Sequence, residues 1–388
     1  MSRFRLMMRD KEIGLVNING NGVQVVSFDS NMYRIYYDIQ KLLSHKLSVS
    51  SRKTVKSFMS KSGAVTAEDV ARWTHGVSIS DNMWLREEGT TYKWNDVSPF
   101  GIRLDTAIAR SAFYGLDNID KDKLGIENGN TFGATSASVN IRLGGTSDKC
   151  VMTNSNGVIS LFKARDAIEG NYGNLRIYME GIATSIARQL GIKNSTKYSI
   201  YENKLDGDET RAISVCSLYT GDYINAVSIE DSKLEDRQIK QLANSFNTEG
   251  CATLCDMVML DSILVNIGRS KAKMEILFDE DFKIISLAPA YDFDMTLGIW
   301  VKDLEGDIKE QARIASSKVS KNFGTTFNEM AVKLACKDTV DRINNVDVDK
   351  INFSKYSELT EERIEFIKEF VRCRVDSVTK SIKESRCL

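Results

Sequence analysis

The sequence contains few of the residues that interrupt or cross-link a chain. Only two of its 388 residues are proline, and only two are histidine. The seven cysteines include no Cys-x-x-Cys pair, and neither histidine lies close to a cysteine in sequence, which argues against a zinc site. We therefore interpret the cysteines as reduced, buried thiols rather than as disulfides.

The chain also lacks an excess of charge and a long apolar run. The 52 basic residues nearly balance the 53 acidic ones, so the overall charge gives no signal for a nucleic-acid partner. No run approaches the length of about 18 apolar residues that a membrane span needs, and the opening residues lack the apolar core of a signal peptide. We therefore expect a cytoplasmic protein without a membrane-spanning segment.

Strand-like and helix-like patterns both occur. Residues 12–28 alternate across a Gly/Asn turn, as in a β-hairpin, and Thr66 is placed as a helix N-cap. After about residue 220 the pattern is mostly helical. The predicted helices cover residues 32–47, 174–190, 234–246, 251–264, 327–335 and 360–382. Together these patterns predict a mixed α+β fold.

The most informative stretch runs from residue 261 to residue 294. An apolar segment ends in a polar loop, strands are predicted at residues 275–278 and 283–287, and an acidic turn follows. This order resembles the catalytic and metal loops of the HipA-like serine/threonine kinases, where Asn-x-Asp-Arg-His-x-x-Asn precedes Ala-Pro-x-Tyr-Asp. The matching positions are Asn266, Arg269, Ala288, Pro289, Tyr291 and Asp292.

Three positions depart from the family pattern. The catalytic aspartate is replaced by Gly268, the histidine by Ser270 and the metal-binding asparagine by Lys273. Glycine has no side chain to accept a proton, and an ammonium group has no lone pair with which to bind magnesium. Lys273 could instead lie against a phosphate as a point charge. Asp292 keeps the position of the metal-binding aspartate, and the alternative is that it belongs to an acidic surface turn.

The resemblance implies a bilobal, protein-kinase-like architecture with a β-rich N-lobe and a helical C-lobe, preceded by a small α+β domain. The predicted ranges are 1–110 for the N-terminal accessory domain, 111–219 for the N-lobe and 220–388 for the C-lobe. It also implies ATP and Mg²⁺ as cofactors and serine or threonine residues of a protein as the substrate. Members of the family occur in bacteria and phages.

Two residues of the predicted N-lobe match the lysine–glutamate pair that kinases use at the α- and β-phosphates. Lys163 ends the apolar run of residues 157–163, where an ammonium group is costly to bury unless it is paired. Glu180 lies on the predicted helix 174–190. The alternative is that Lys163 is an edge-strand lysine and Glu180 a solvated charge on a helix surface.

Residues 128–145 are rich in glycine and small hydroxyl side chains. Such a segment lets backbone N–H groups approach phosphate oxygens, and Thr135, Ser136 and Ser138 would add hydroxyl donors for ATP. It contains neither a Walker A motif nor Gly-x-Gly-x-x-Gly. We therefore predict a phosphate-covering loop, with a glycine-rich hairpin turn as the alternative.

The departures indicate a kinase scaffold with impaired or lost protein phosphorylation, because loss of a catalytic base costs about two to four orders of magnitude in rate. Asp261 and Asp294 are the carboxylates that could replace the base. One alternative is a non-enzymatic pseudokinase module that binds a protein partner. Another is nucleotidyl transfer that uses Asp292 and Lys273. The protein target and the oligomeric state do not follow from the sequence.

Overall fold

The computed structural model describes residues 2–20, 22–62, 66–115, 124, 131–164, 170–204, 210–233, 248–320 and 324–386. Within these ranges the chain is a mixed α+β protein with an N-terminal sheet, which confirms the predicted fold class. The strands are β1 Ser2–Met8, β2 Lys11–Asn19, β3 Gly22–Phe28, β4 Met83–Glu87, β5 Asp148–Thr153, β6 Ile159–Ala164, β7 Ser199–Lys204, β8 Thr210–Ser217, β9 Asn225–Ser228, β10 Glu275–Phe278 and β11 Ile284–Leu287. The helices are α1 Ile39–Leu47, α2 Lys53–Ser62, α3 Ala67–Thr74, α4 Trp94–Val97, α5 Thr106–Tyr114, α6 Thr131–Ile141, α7 Gly170–Gln189, α8 Thr248–Leu264, α9 Ile308–Ser316, α10 Phe327–Leu334, α11 Thr339–Asn344 and α12 Glu361–Arg386.

The chain divides into two compact units. The first comprises Met1–Lys163, Ser217–Leu234 and Glu275–Ile285, and the second comprises Ala164–Cys216, Glu235–Met274 and Ser286–Leu388. The predicted boundaries at residues 110 and 219 remain predictions. The predicted helix 234–246 and residues 128–130 of the glycine-rich segment lie outside the described residues.

The first unit contains the N-terminal sheet, in the order β3-β2-β1-β4. Antiparallel pairing of β2 with β3 confirms the predicted hairpin, and β1 pairs antiparallel with both β2 and β4. One core cluster packs Trp84 and Trp94 against Val139 and Val151. Because aromatic residues each bury a large apolar area, this cluster fixes β4 and its neighbouring helices firmly in the unit.

Capping residues set the helix boundaries of this unit. The Thr66 hydroxyl accepts a hydrogen bond from the Asp69 amide at 3.1 Å, and Asp69 accepts one from the Thr66 amide at 3.0 Å, which confirms the predicted N-cap. The predicted helix 32–47 is wrong as one element. It consists of a 3₁₀ turn, Ser30–Arg34, and the separate helix α1, because Asp38 caps a new N-terminus by accepting from the Lys41 amide at 2.9 Å.

The second unit is mainly helical. Helix α8 packs on α10 and α12, and α12 also packs on α9. On α7, the Tyr178 ring lies 5.0 Å from that of Tyr356, which comes just before α12. These elements correspond to the predicted helices 174–190, 251–264, 327–335 and 360–382. No helix of the described residues is long and apolar enough to cross a membrane.

Candidate functional site

The loop after α8 and the acidic turn after β11 both contain residues in an uncommon backbone conformation. Val265, Asp292 and Leu297 have φ angles of 50°, 60° and 55°, a region that is costly for side chains with a Cβ and unusual for a β-branched residue. The Leu297 amide donates to the Leu264 carbonyl at 2.8 Å, which joins the end of α8 to the acidic turn. Strain of about 1–3 kcal/mol per residue persists only where the surroundings determine the conformation, and it concentrates at functional sites.

A buried ion pair supports this loop from inside the second unit. Arg269 Nε lies 2.8 Å from Asp261 Oδ2, and the two side chains are only 3% and 4% exposed. Burial opposes the charge on Arg269, but the Asp261 carboxylate outweighs it and raises the pKa of the guanidinium. Arg269 Nη1 also donates to the Lys273 carbonyl at 2.8 Å. The arginine therefore joins the last turn of α8 to the far end of the loop.

Asn266 fixes the turn between these two points. Its Nδ2 donates to Asp261 Oδ1 at 3.0 Å, and its Oδ1 accepts from the Gly268 amide at 3.1 Å. Asn266 is almost fully buried, where an unsatisfied amide would be costly. The asparagine predicted to flank the base position thus has a clear positioning contact with the backbone at that position.

Lys273 and Asp292 are brought together, although two strands separate them in sequence. Lys273 Nζ lies 2.6 Å from Asp292 Oδ2, with the side chains 34% and 19% exposed. The Asp292 amide donates to the Tyr198 hydroxyl at 3.0 Å. Burial raises the pKa of Tyr198 well above its ordinary value, so the phenol stays neutral. The acidic turn is therefore part of a built, partly buried site rather than a solvated surface turn.

Asp294 is bound by a different cation. Arg176 on α7 lies 2.8 Å from Asp294 Oδ2, and the aspartate side chain is only 5% exposed. Asp261 is likewise buried against Arg269. A replacement base must lie within hydrogen-bond reach of the hydroxyl whose proton it accepts. Neither Asp261 nor Asp294 is therefore placed to act as a substitute base.

Gly268, at the position of the missing base, lies close to the Lys273 ammonium. A Cβ at this residue would be 3.4 Å from Lys273 Nζ, 3.3 Å from Asn266 Oδ1 and 3.1 Å from Met295 Cβ. A side chain at residue 268 would therefore be crowded by all three neighbours, one of which is the Lys273 ammonium.

The side chains at this turn do not fit the predicted magnesium ion. Mg²⁺ takes an octahedral set of oxygen ligands, usually from one or two carboxylates. Here the Asp292 carboxylate is paired with an ammonium and the Asp294 carboxylate with a guanidinium.

Lys163 and Glu180 are both buried, so Glu180 is not the solvated helix charge of the alternative interpretation. Lys163 is 5% exposed near the end of β6, in the first unit. Glu180 is fully buried on α7, in the second unit, where Ser214 Oγ donates to its carboxylate. Their predicted pairing at the phosphates of ATP remains a prediction.

The predicted phosphate-covering loop is wrong over the described residues, because residues 131–141 form helix α6. Thr135 Oγ1 donates to the Val97 carbonyl at 2.9 Å, and Ser138 Oγ donates to the Val77 carbonyl at 2.6 Å. Ser136 Oγ accepts from the Asp105 amide at 2.8 Å. All three hydroxyls are buried in the first unit, where they anchor α6 to its neighbours, and their predicted contact with ATP remains a prediction.

Sequence reasoning did not identify two residues of this site, Arg176 and Tyr198. Their partners Asp294 and Asp292 are 118 and 94 residues away in sequence. No local motif marks either residue, because each contributes through a contact that only the folded second unit creates. The polar residues of the site are thus Asp261, Asn266, Arg269, Lys273, Asp292, Asp294, Arg176 and Tyr198.

Neither a family model nor a curated protein matches the chain. The crystal structure of the Helicobacter pylori proinflammatory kinase CtkA is similar to it with a TM-score of 0.42 and 14% sequence identity, over 63% of this chain and 94% of that chain. At that TM-score and identity the likeness carries no argument about function.

Proposed function

We propose that the loop of residues 261–274 and the turn at Asp292 form a nucleotide-binding site derived from a HipA-like kinase, without efficient transfer of phosphate to protein. The observation that carries this proposal is the 2.6 Å pair between Lys273 and Asp292, directly beside Gly268. Residue 268 offers no side chain to act as a base, and the Asp292 carboxylate is already paired with an ammonium.

The positioning contacts support the retention of a binding site. Asp261, Asn266 and Arg269 are almost fully buried and form one hydrogen-bonded network around the loop. A satisfied buried polar network rigidifies the segment that it holds, so this one keeps the loop in a single conformation before a ligand binds. The partly exposed Lys273 ammonium supplies the positive charge that a nucleotide phosphate requires.

The chemistry at Gly268 supports the loss of catalysis. Phosphoryl transfer depends on positioning the attacking hydroxyl and neutralising the charge of the phosphates. Without a base, the rate falls by about two to four orders of magnitude. We therefore expect binding of ATP with little or no phosphorylation of a serine or threonine substrate.

The first experiment measures the melting temperature with and without ATP. We expect ATP to raise it, and we expect Lys273→Met, which removes the ammonium beside Asp292, to reduce that rise. The second experiment incubates the chain and the variant Gly268→Asp/Lys273→Asn with labelled ATP. Label should be incorporated into protein only by the variant. Absence of any ATP effect on melting would refute the binding site, and an added nucleotide mass would favour nucleotidyl transfer.

A further inference from the structure

We infer that Lys273 takes the place of a metal ion at Asp292, so that the ligand of this loop is a nucleotide polyphosphate free of magnesium. The inference rests on the proposed function, from which it takes a nucleotide as the ligand. It adds the ionic form of that ligand and the residue that selects it.

The position of the ammonium is the first argument. Lys273 Nζ lies 2.6 Å from Asp292 Oδ2, so a cation already occupies the carboxylate that would otherwise bind a metal. An ammonium group has three N–H donors, and the contact with Asp292 Oδ2 uses one of them. Because the Lys273 side chain is 34% exposed, the remaining directions can meet the phosphate oxygens of a ligand that arrives from solvent.

Hydrogen bonds to its backbone also fix the position of Lys273, whereas a lysine on a flexible surface loop would lack such bonds. The Lys273 backbone carbonyl accepts from Arg269 Nη1 at 2.8 Å, and the Lys273 amide donates to the Ser270 carbonyl at 3.0 Å. Residues 271–273 form a single 3₁₀ turn. The backbone that carries the ammonium is therefore held before the ligand arrives, which reduces the entropic cost of binding.

Charge balance argues against a second cation at the same place. Asp294 is already paired with Arg176 at 2.8 Å, so it does not offset a metal ion that approaches Asp292. A magnesium–nucleotide complex would bring its metal next to the Lys273 ammonium, and like charges at contact distance repel each other. The metal-free nucleotide carries more negative charge than its magnesium complex and has no such conflict. Lys273 therefore selects the metal-free form.

The test compares ATP binding by equilibrium dialysis in excess EDTA and in excess MgCl₂. For the unchanged chain, we expect binding at least about tenfold tighter in EDTA. Lys273→Asn should abolish this preference, and Lys273→Arg, which keeps the charge, should retain most of it. Lys309→Asn is the control, because it removes an exposed lysine of the same unit that lies on α9, outside the loop of residues 261–274. It should behave as the unchanged chain.

The outcomes separate the two proposals. Binding that is equal in both conditions, or tighter with magnesium, overturns the role of Lys273 and leaves the nucleotide-binding site in place. Absence of ATP binding in both conditions overturns the proposed function and the inference with it. Circular dichroism melting of each variant establishes folding, and Lys273→Arg keeps the test decisive if Lys273→Asn does not fold.

Discussion

Replacement of Arg269 by methionine tests whether the buried ion pair supports the loop. Arg269 and Asp261 are 3% and 4% exposed, with Nε 2.8 Å from Oδ2. Removing one partner of a buried pair leaves an uncompensated charge and costs about 3–5 kcal/mol of stability. Arg269 also donates to the Lys273 carbonyl, so its loss should loosen the Lys273–Asp292 contact as well. We therefore expect Arg269→Met to weaken both folding and nucleotide binding.

Arg313→Met is the matched control for this variant. Arg313 pairs with Glu310 at 2.6 Å, but the two side chains are 65% and 46% exposed. Exposed pairs contribute about 0–1 kcal/mol, because water and salt already screen their charges. Urea unfolding followed by far-ultraviolet circular dichroism measures both variants. The free energy of unfolding should fall by about 3–5 kcal/mol for Arg269→Met and far less for Arg313→Met, whose partner stays solvated.

The double variant Asp261→Asn/Arg269→Met separates a charge effect from a packing effect. It removes both buried charges. The new side chain at residue 261 keeps an amide oxygen that can accept from Asn266 Nδ2, which lies 3.0 Å from Asp261 Oδ1 in the unchanged chain. Its loss of stability should therefore be smaller than the sum of the two single losses, because contacting residues are coupled. Equal losses for Arg269→Met and Arg313→Met, or strict additivity in the double variant, would refute this reasoning.

Two further predictions concern stability. Burial lowers the pKa of His75 to about 4, below its unfolded value of about 6.5, so the unfolded chain binds the proton first. Stability should then fall by up to roughly 3 kcal/mol as the pH drops from about 6.5 to about 4, and His75→Gln should flatten this part of a urea-unfolding pH profile. Gly298→Ala would place a Cβ 2.5 Å from the Phe366 ring at φ +72°, whereas Gly306 has φ +76° and nothing within 4 Å. Overpacking should destabilise Gly298→Ala by about 1–3 kcal/mol, so its melting temperature should fall more than that of Gly306→Ala. Equal shifts of the melting temperature would contradict the close contact.

Local signals in the sequence were sufficient for the elements around the site. The strands at residues 275–278 and 283–287 match β10 and β11, because a short apolar run bounded by polar residues is typical of a short strand. The Thr66 cap was also predictable, since capping depends on residues only three positions apart. The loop itself was placed correctly after α8 because an apolar helix must end where its apolar residues end.

Helix α6 could not be predicted in the same way. Its sequence consists mainly of small residues, which have little periodic contrast and, for glycine and serine, weak helix propensity. Tertiary packing decides its conformation, since Ala134, Ala137 and Ile141 pack against Phe58 and Trp73 in one buried cluster. Small side chains allow that close approach. The same composition that indicated a phosphate loop therefore serves helix packing.

The departures at residues 268 and 273 are best understood as one coupled change. A Cβ at Gly268 would lie 3.4 Å from the Lys273 ammonium, so Gly268→Asp alone should form an ion pair with Lys273 instead of leaving a carboxylate to accept a proton. Lys273→Asn alone removes the ammonium that holds Asp292, but it supplies no base. Phosphorylation activity should therefore appear only in the double variant, as label from ATP incorporated into protein. Full activity in Gly268→Asp alone would show that Lys273 does not compete for the new carboxylate.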